Sequence, residues 1–112
     1  MSTNSEIKKN FTAKFNYYFP DVNIKISIIK ENIHVGVVSA PESIVYSEVT
    51  KYIFKTTDFD KKGTLWNNGC QLTLRGWDIF HYLHELAKDY RMPTHFYLGM
   101  PNRTGFEAFE VK

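Results

Sequence analysis

The spacing of apolar residues changes character several times along the chain. Ile7, Phe11, Phe15, Tyr18 and Phe19 recur at helical intervals, with Lys8, Lys9, Lys14 and Asn16 between them. Residues three and four apart share one face of a helix, so this pattern predicts an amphipathic helix. Thr3-x-x-Glu6 ahead of it has the form of a capping box, in which each side chain satisfies an unpaired backbone donor. Pro20 predicts its end, because the residue before a proline resists the helical region. The period then drops to two. Val22, Ile24, Ile26 and Ile28 alternate with Asn23, Lys25 and Ser27, and after the turn "IKEN" the residues Ile33, Val35 and Val37 continue the alternation. Two such runs around a short polar turn predict an antiparallel hairpin.

Helical spacing is expected to resume in "SAPESIVYSEVTKYIFK", with Ser39-x-x-Glu42 as the cap, Pro41 in the first turn and Val45, Val49, Tyr52 and Ile53 as the apolar stripe. A polar loop over 56–68 follows, and "CQLTL" predicts a short strand with Cys70, Leu72 and Leu74 on one face. From Gly76 or Trp77 to Tyr90 a third helix is expected, burying Ile79, Phe80, Leu83, Leu86, Ala87 and Tyr90. "THFYLGM" and "GFEAFEV" predict a closing pair of strands around the turn "PNRTG". The order α-β-β-α-(β)-α-β-β indicates an α+β fold, a mostly antiparallel sheet with helices packed on one face. With 112 residues and no linker-like stretch, residues 1–112 are expected to form a single domain.

Composition narrows the function classes. Hydrophobic residues at 43% and aromatics at 16% are ample for a core and argue against intrinsic disorder. The net charge of +2 is nearly balanced, whereas dedicated nucleic-acid binders are usually more lopsided. A lone cysteine, Cys70, rules out an intramolecular disulfide, and the N-terminus lacks the basic-then-apolar pattern of a secretory signal. No run approaches the roughly 20 apolar residues that span a bilayer, so a cytoplasmic protein without membrane contact is expected.

Four chemistries have candidate residues in the chain. Asp58, Asp60 and Gly63 match the first, third and sixth positions of a calcium-binding EF-hand loop, but its fifth position is Lys62 and its twelfth is Gly69. An ammonium repels the cation and glycine offers no closing carboxylate, so calcium is not expected. His81 and His84, with Cys70 and His95, make a zinc donor set by type, without the close-spaced ligand pairs of most structural zinc sites. Cys70 alternates with Leu72 and Leu74, a pattern of packing and not of nucleophilic catalysis. The reading is therefore no metal, no cofactor and no enzyme. Lys8, Lys9, Lys14, Lys25, Lys30, Lys51, Lys55, Lys61 and Lys62 nearly all fall in the first half beside Tyr17, Tyr18, Tyr46 and Tyr52, a pattern seen in single-strand binding. Glu31, Glu42 and Glu48 interleave them and cut the local field.

The first half also carries a family resemblance. Phe19-Pro20-Asp21-Val22, Ile33-His34-Val35-Gly36-Val37, Pro41 and Phe59-Asp60 follow one another over residues 7–60. In that order they resemble the module called large polyvalent protein-associated domain 29. "VVSAPE" stands where that family tends to have W-T-D-G-P. The resemblance implies a phage or conjugative-element origin and supplies no catalytic residues. It implies a small non-enzymatic binding protein, a counter-defence inhibitor acting by contact with a host or element-encoded protein. A nucleic-acid-binding accessory protein and an immunity protein for a toxin are the alternatives, and exposed aromatics leave a homodimer open. The wet side of the third helix and the terminal hairpin lie outside the shared module. The expected binding residues are therefore His81, Glu85, Lys88, Tyr97, Asn102 and Arg103.

Overall fold

The computed structural model describes residues 3–44, 52–55 and 72–112. Its elements run α1 (Asn4–Tyr18), β1 (Asn23–Ile29), β2 (Asn32–Ala40), β3 (Tyr52–Lys55), α2 (Leu74–Ala87), β4 (Thr94–Leu98), β5 (Met100–Asn102), β6 (Gly105–Glu107) and β7 (Glu110–Val111). The fold is α+β, with strands that pair mostly antiparallel. The main sheet has the order β1-β2-β4-β3, with β7 beside the end of β2. β1–β2 and β3–β4 are antiparallel, and the central pair β2–β4 is parallel.

Alternation along the strands divides the sheet into two faces. The inner face carries Ile33, Val35 and Val37 of β2 and Phe96 and Leu98 of β4, all fully buried. Ile7, Phe11 and Phe15 of α1 and Ile79, Phe80 and Leu83 of α2 close over that face in one continuous core. Each such side chain contributes about 1.5–3 kcal/mol when fully withdrawn from water. α1 starts as expected, with the Glu6 amide donating to Thr3 Oγ1 at 3.2 Å. Tyr18, assigned to the apolar stripe, is instead 64% exposed.

The helix expected from Ser39-x-x-Glu42 through Tyr52 and Ile53 meets strands at both ends. Ser39 and Ala40 belong to β2, buried beside β7, and Ser39 Oγ accepts from Asn23 Nδ2 at 2.7 Å. Tyr52–Lys55 is β3. Its two aromatics and one β-branched residue suit a pleated strand, and pairing to β4 overrides the helical spacing. Residues 45–51, with Val45 and Val49, lie outside the described residues. The expected strand at "CQLTL" is also corrected. Leu72 makes a single bridge, Thr73 caps α2 by accepting from the Gly76 amide at 3.2 Å, and Leu74 opens the helix 81% exposed. α2 therefore begins two or three residues early and ends at Ala87, short of Tyr90.

A two-residue turn joins β1 to β2, with Lys30 at φ 49° and Glu31 at φ 64°. Primed hairpin turns need positive φ at both central positions, where Asn-Gly is the usual occupant. The closing pair of strands is more broken than the sequence suggests. Gly99, at φ 97°, ends β4 and sends β5 out of the sheet plane into a hairpin with β6, while β7 returns to β2. Among the described residues no helix is long and apolar enough to cross a membrane.

Candidate functional site

The outer face of the sheet, away from both helices, carries the site. Positions alternate with the core set: Lys25, Ser27 and Ile29 on β1, His34, Gly36 and Val38 on β2, His95 and Tyr97 on β4. The β5–β6 hairpin folds over part of this face, packing Met100 and Phe106 against Val38 and Tyr97 in a second, smaller apolar cluster. Gly36 makes that possible. A Cβ there would collide with the Gly99 carbonyl oxygen and stand 2.8 Å from Met100 Sδ. The Gly99 amide donates to the Val37 carbonyl at 2.8 Å, which fixes where the hairpin leaves the sheet.

Beside the hairpin the face stays open as a cleft of about 480 Å³, within the usual range for ligand pockets of roughly 300–1,000 Å³. Ser27, Ile29, His34 and Tyr97 come from the sheet, and Met100, Pro101, Asn102 and Arg103 from β5 and its turn. The turn is braced locally: Asn102 Oδ1 accepts from the Thr104 amide at 3.0 Å and from Thr104 Oγ1 at 3.1 Å. Such an Asx-type bond holds a turn without help from the sheet.

Two histidines and a tyrosine define the chemistry. His34 and His95 stand opposite each other on parallel strands, their rings 4.9 Å apart and 11° from parallel. His34 Nδ1 lies 2.7 Å from the Tyr97 hydroxyl, which can donate to neutral His34 or accept from its imidazolium. Burial first, and His95 second, hold the His34 pKa below its ordinary value. Burial raises that of Tyr97, so Tyr97 remains a phenol. Among the described residues no carboxylate lines the cleft. Arg103 makes no ion pair among the described residues, whereas Lys25 is bonded to Glu107 at 2.7 Å. The cleft is thus apolar on its walls, with hydrogen-bonding groups on its floor and one free cation on its lip.

The six expected binding residues separate into two groups. Tyr97, Asn102 and Arg103 meet at this cleft. His81 and Glu85 lie on α2 and Lys88 caps its end, and α2 packs against the inner face, so the sheet stands between the two groups. Glu85 pairs with Lys88 at 2.9 Å, and that bond lowers the Glu85 pKa. His84 is buried, edge-on to Phe96 with ring centres 6.4 Å apart. The same division separates His95 from His81 and His84, and among the described residues no group of three or more His, Cys, Asp or Glu is placed to hold a metal. Cys70, Asp58 and Asp60 lie outside the described residues.

His34, Ser27, Ile29, Met100 and Pro101 were not expected at the site. His34 and His95 are each out of phase with their strand's apolar set, which marks them as outward-facing. Their contact depends on the parallel pairing of β2 with β4, which local patterning does not reveal. A second exposed feature lies at the end of α1. Tyr17 is 79% exposed and meets Tyr18 edge-on at 5.0 Å, and Tyr18 meets Tyr82 of α2 at 4.9 Å. Lys14 nearby is 3.8 Å from Asp89.

No protein-family model, no curated protein and no solved structure matches this chain.

Proposed function

We propose that this chain is a small, non-catalytic binding protein that engages a partner protein through the outer-face cleft and the β5–β6 turn. One observation carries the reading: a locally braced turn presents an unpaired Arg103 beside an apolar cleft with polar groups at its floor. Apolar surface to bury, a few oriented polar groups and an arginine are what concentrated binding energy at protein interfaces is built from. The proposed partner is a host or element-encoded protein and the proposed action is inhibition by contact, a reading taken from the sequence likeness of residues 7–60 to a phage and conjugative-element module, which no family model matches.

The test is affinity capture from nuclease-treated bacterial lysate with the wild type and with Arg103→Glu. A stoichiometric protein held by the wild type and released by the exposed charge reversal supports the reading. Equal capture by both removes the cleft from it. The pair Tyr17 and Tyr18, edge-on to each other and exposed near Lys14, favours nucleic acid as the alternative partner. Capture that vanishes with nuclease and falls steeply with salt would establish that alternative.

A further inference from the structure

Resting on the contact face just described, we infer that the segment seated in the cleft is an acidic peptide. It sets an Asp or Glu carboxylate against Arg103 and a neighbouring apolar side chain against Ile29, Met100 and Pro101.

Among the described residues the cleft has charge of one sign only. Its lining there contains Arg103 but no Asp or Glu, and the nearby Glu107 is already bonded to Lys25 at 2.7 Å. A carboxylate therefore meets attraction without a competing acid, and a guanidinium offers it a two-pronged donor. The apolar part follows from Ile29, which is 56% exposed on the rim, and from the Met100–Pro101 wall. Burying a side chain there removes apolar surface from water on both partners.

His34 adds a dependence on pH. Burial and the stacked His95 ring disfavour charging His34, and a carboxylate in the cleft opposes that. The charged and titratable groups on the surrounding elements are Arg103 of the turn, Tyr97 of β4 beside His34 and the mutually neutralised Lys25–Glu107 pair across β1 and β6. Lys55 stands opposite His95 in the β3–β4 ladder. The incoming carboxylate brings a negative charge that favours the imidazolium, so binding takes up a proton and tightens as pH falls.

The test is a titration of the labelled full-length chain with N-acetyl-Glu-Leu-amide, reading the ring signals of His34 and His95 and the Arg103 side-chain signal. The Glu peptide is expected to shift all three saturably, and more tightly at pH 6 than at pH 7.5. N-acetyl-Gln-Leu-amide and the variant Arg103→Ala are each expected to weaken binding about three- to fivefold, the worth of a partly exposed ion pair. Equal binding of the Gln peptide overturns the inference while leaving the contact face intact. Response to phenyl phosphate but not to the Glu peptide assigns the anion to phosphate and also overturns it. Silence from every probe overturns it as well, while the Arg103→Glu capture experiment judges the contact face separately.

Discussion

Gly36→Ala is the substitution that tests how the outer face is built. The added Cβ meets the Gly99 carbonyl oxygen, which is backbone, and comes within 2.8 Å of Met100 Sδ and 3.0 Å of Met100 Cβ. The methionine side chain can turn away, but the carbonyl is backbone of the residue whose own amide donates to the Val37 carbonyl at 2.8 Å. Relief requires the start of β5 to retreat by about an ångström from the sheet. Overpacking of this kind costs about 1–3 kcal/mol, and loss of the bond adds roughly 1 kcal/mol. The expected destabilisation is therefore about 2–4 kcal/mol, within the roughly 5–15 kcal/mol that a domain has to lose. Urea unfolding followed by far-UV circular dichroism gives the magnitude, and hydrogen exchange at the Gly99 amide locates it. The reasoning predicts that Gly99 protection collapses while the amides of α2 keep theirs relative to global stability. A loss under about 0.5 kcal/mol with Gly99 protected as in the wild type would refute it.

Other predictions concern different parts of the fold. Glu31→Gly relieves a side chain from the left-handed region at φ 64° and is expected to stabilise by about 0.5–1 kcal/mol in the same urea assay, net of glycine's entropy cost. Acidification should destabilise the protein. Burial holds His34 and His84 below their unfolded value of about 6.5, so the unfolded chain binds more protons, and stability declines as pH falls through about 6.5 toward their folded values. The melting temperature should drop between pH 7.5 and 5.5, and His84→Gln should flatten that slope; an unchanged slope would remove His84 from the account.

Much of the core could be read locally, and most of the site could not. Ile33, Val35 and Val37 alternate so regularly that β2 and its buried face follow from spacing alone. Ile79, Phe80 and Leu83 likewise announce α2. Around Ser39 the local signals misled, because a plausible cap lies within the reach of β7, and backbone pairing buries it as strand. Asn102 and Arg103 were legible because a turn sequence puts polar residues at the surface, whereas Tyr97 is a buried residue of β4. Their separation from His81, Glu85 and Lys88 follows from which side of the sheet each element packs against, a property of the tertiary arrangement. Gly36 looked like an ordinary strand residue until the crossing of Gly99 showed why a side chain cannot stand there.

The most direct test of the account uses a photo-crosslinking residue placed at Asn102, on the lip of the cleft, and in a second preparation at Lys88, on the far side of the sheet. Each is irradiated in nuclease-treated bacterial lysate. The account predicts one discrete protein adduct from position 102, abolished when Arg103→Glu is added, and none from position 88. An adduct from position 88 alone would move the contact surface to α2 and contradict the assignment of function to the outer face.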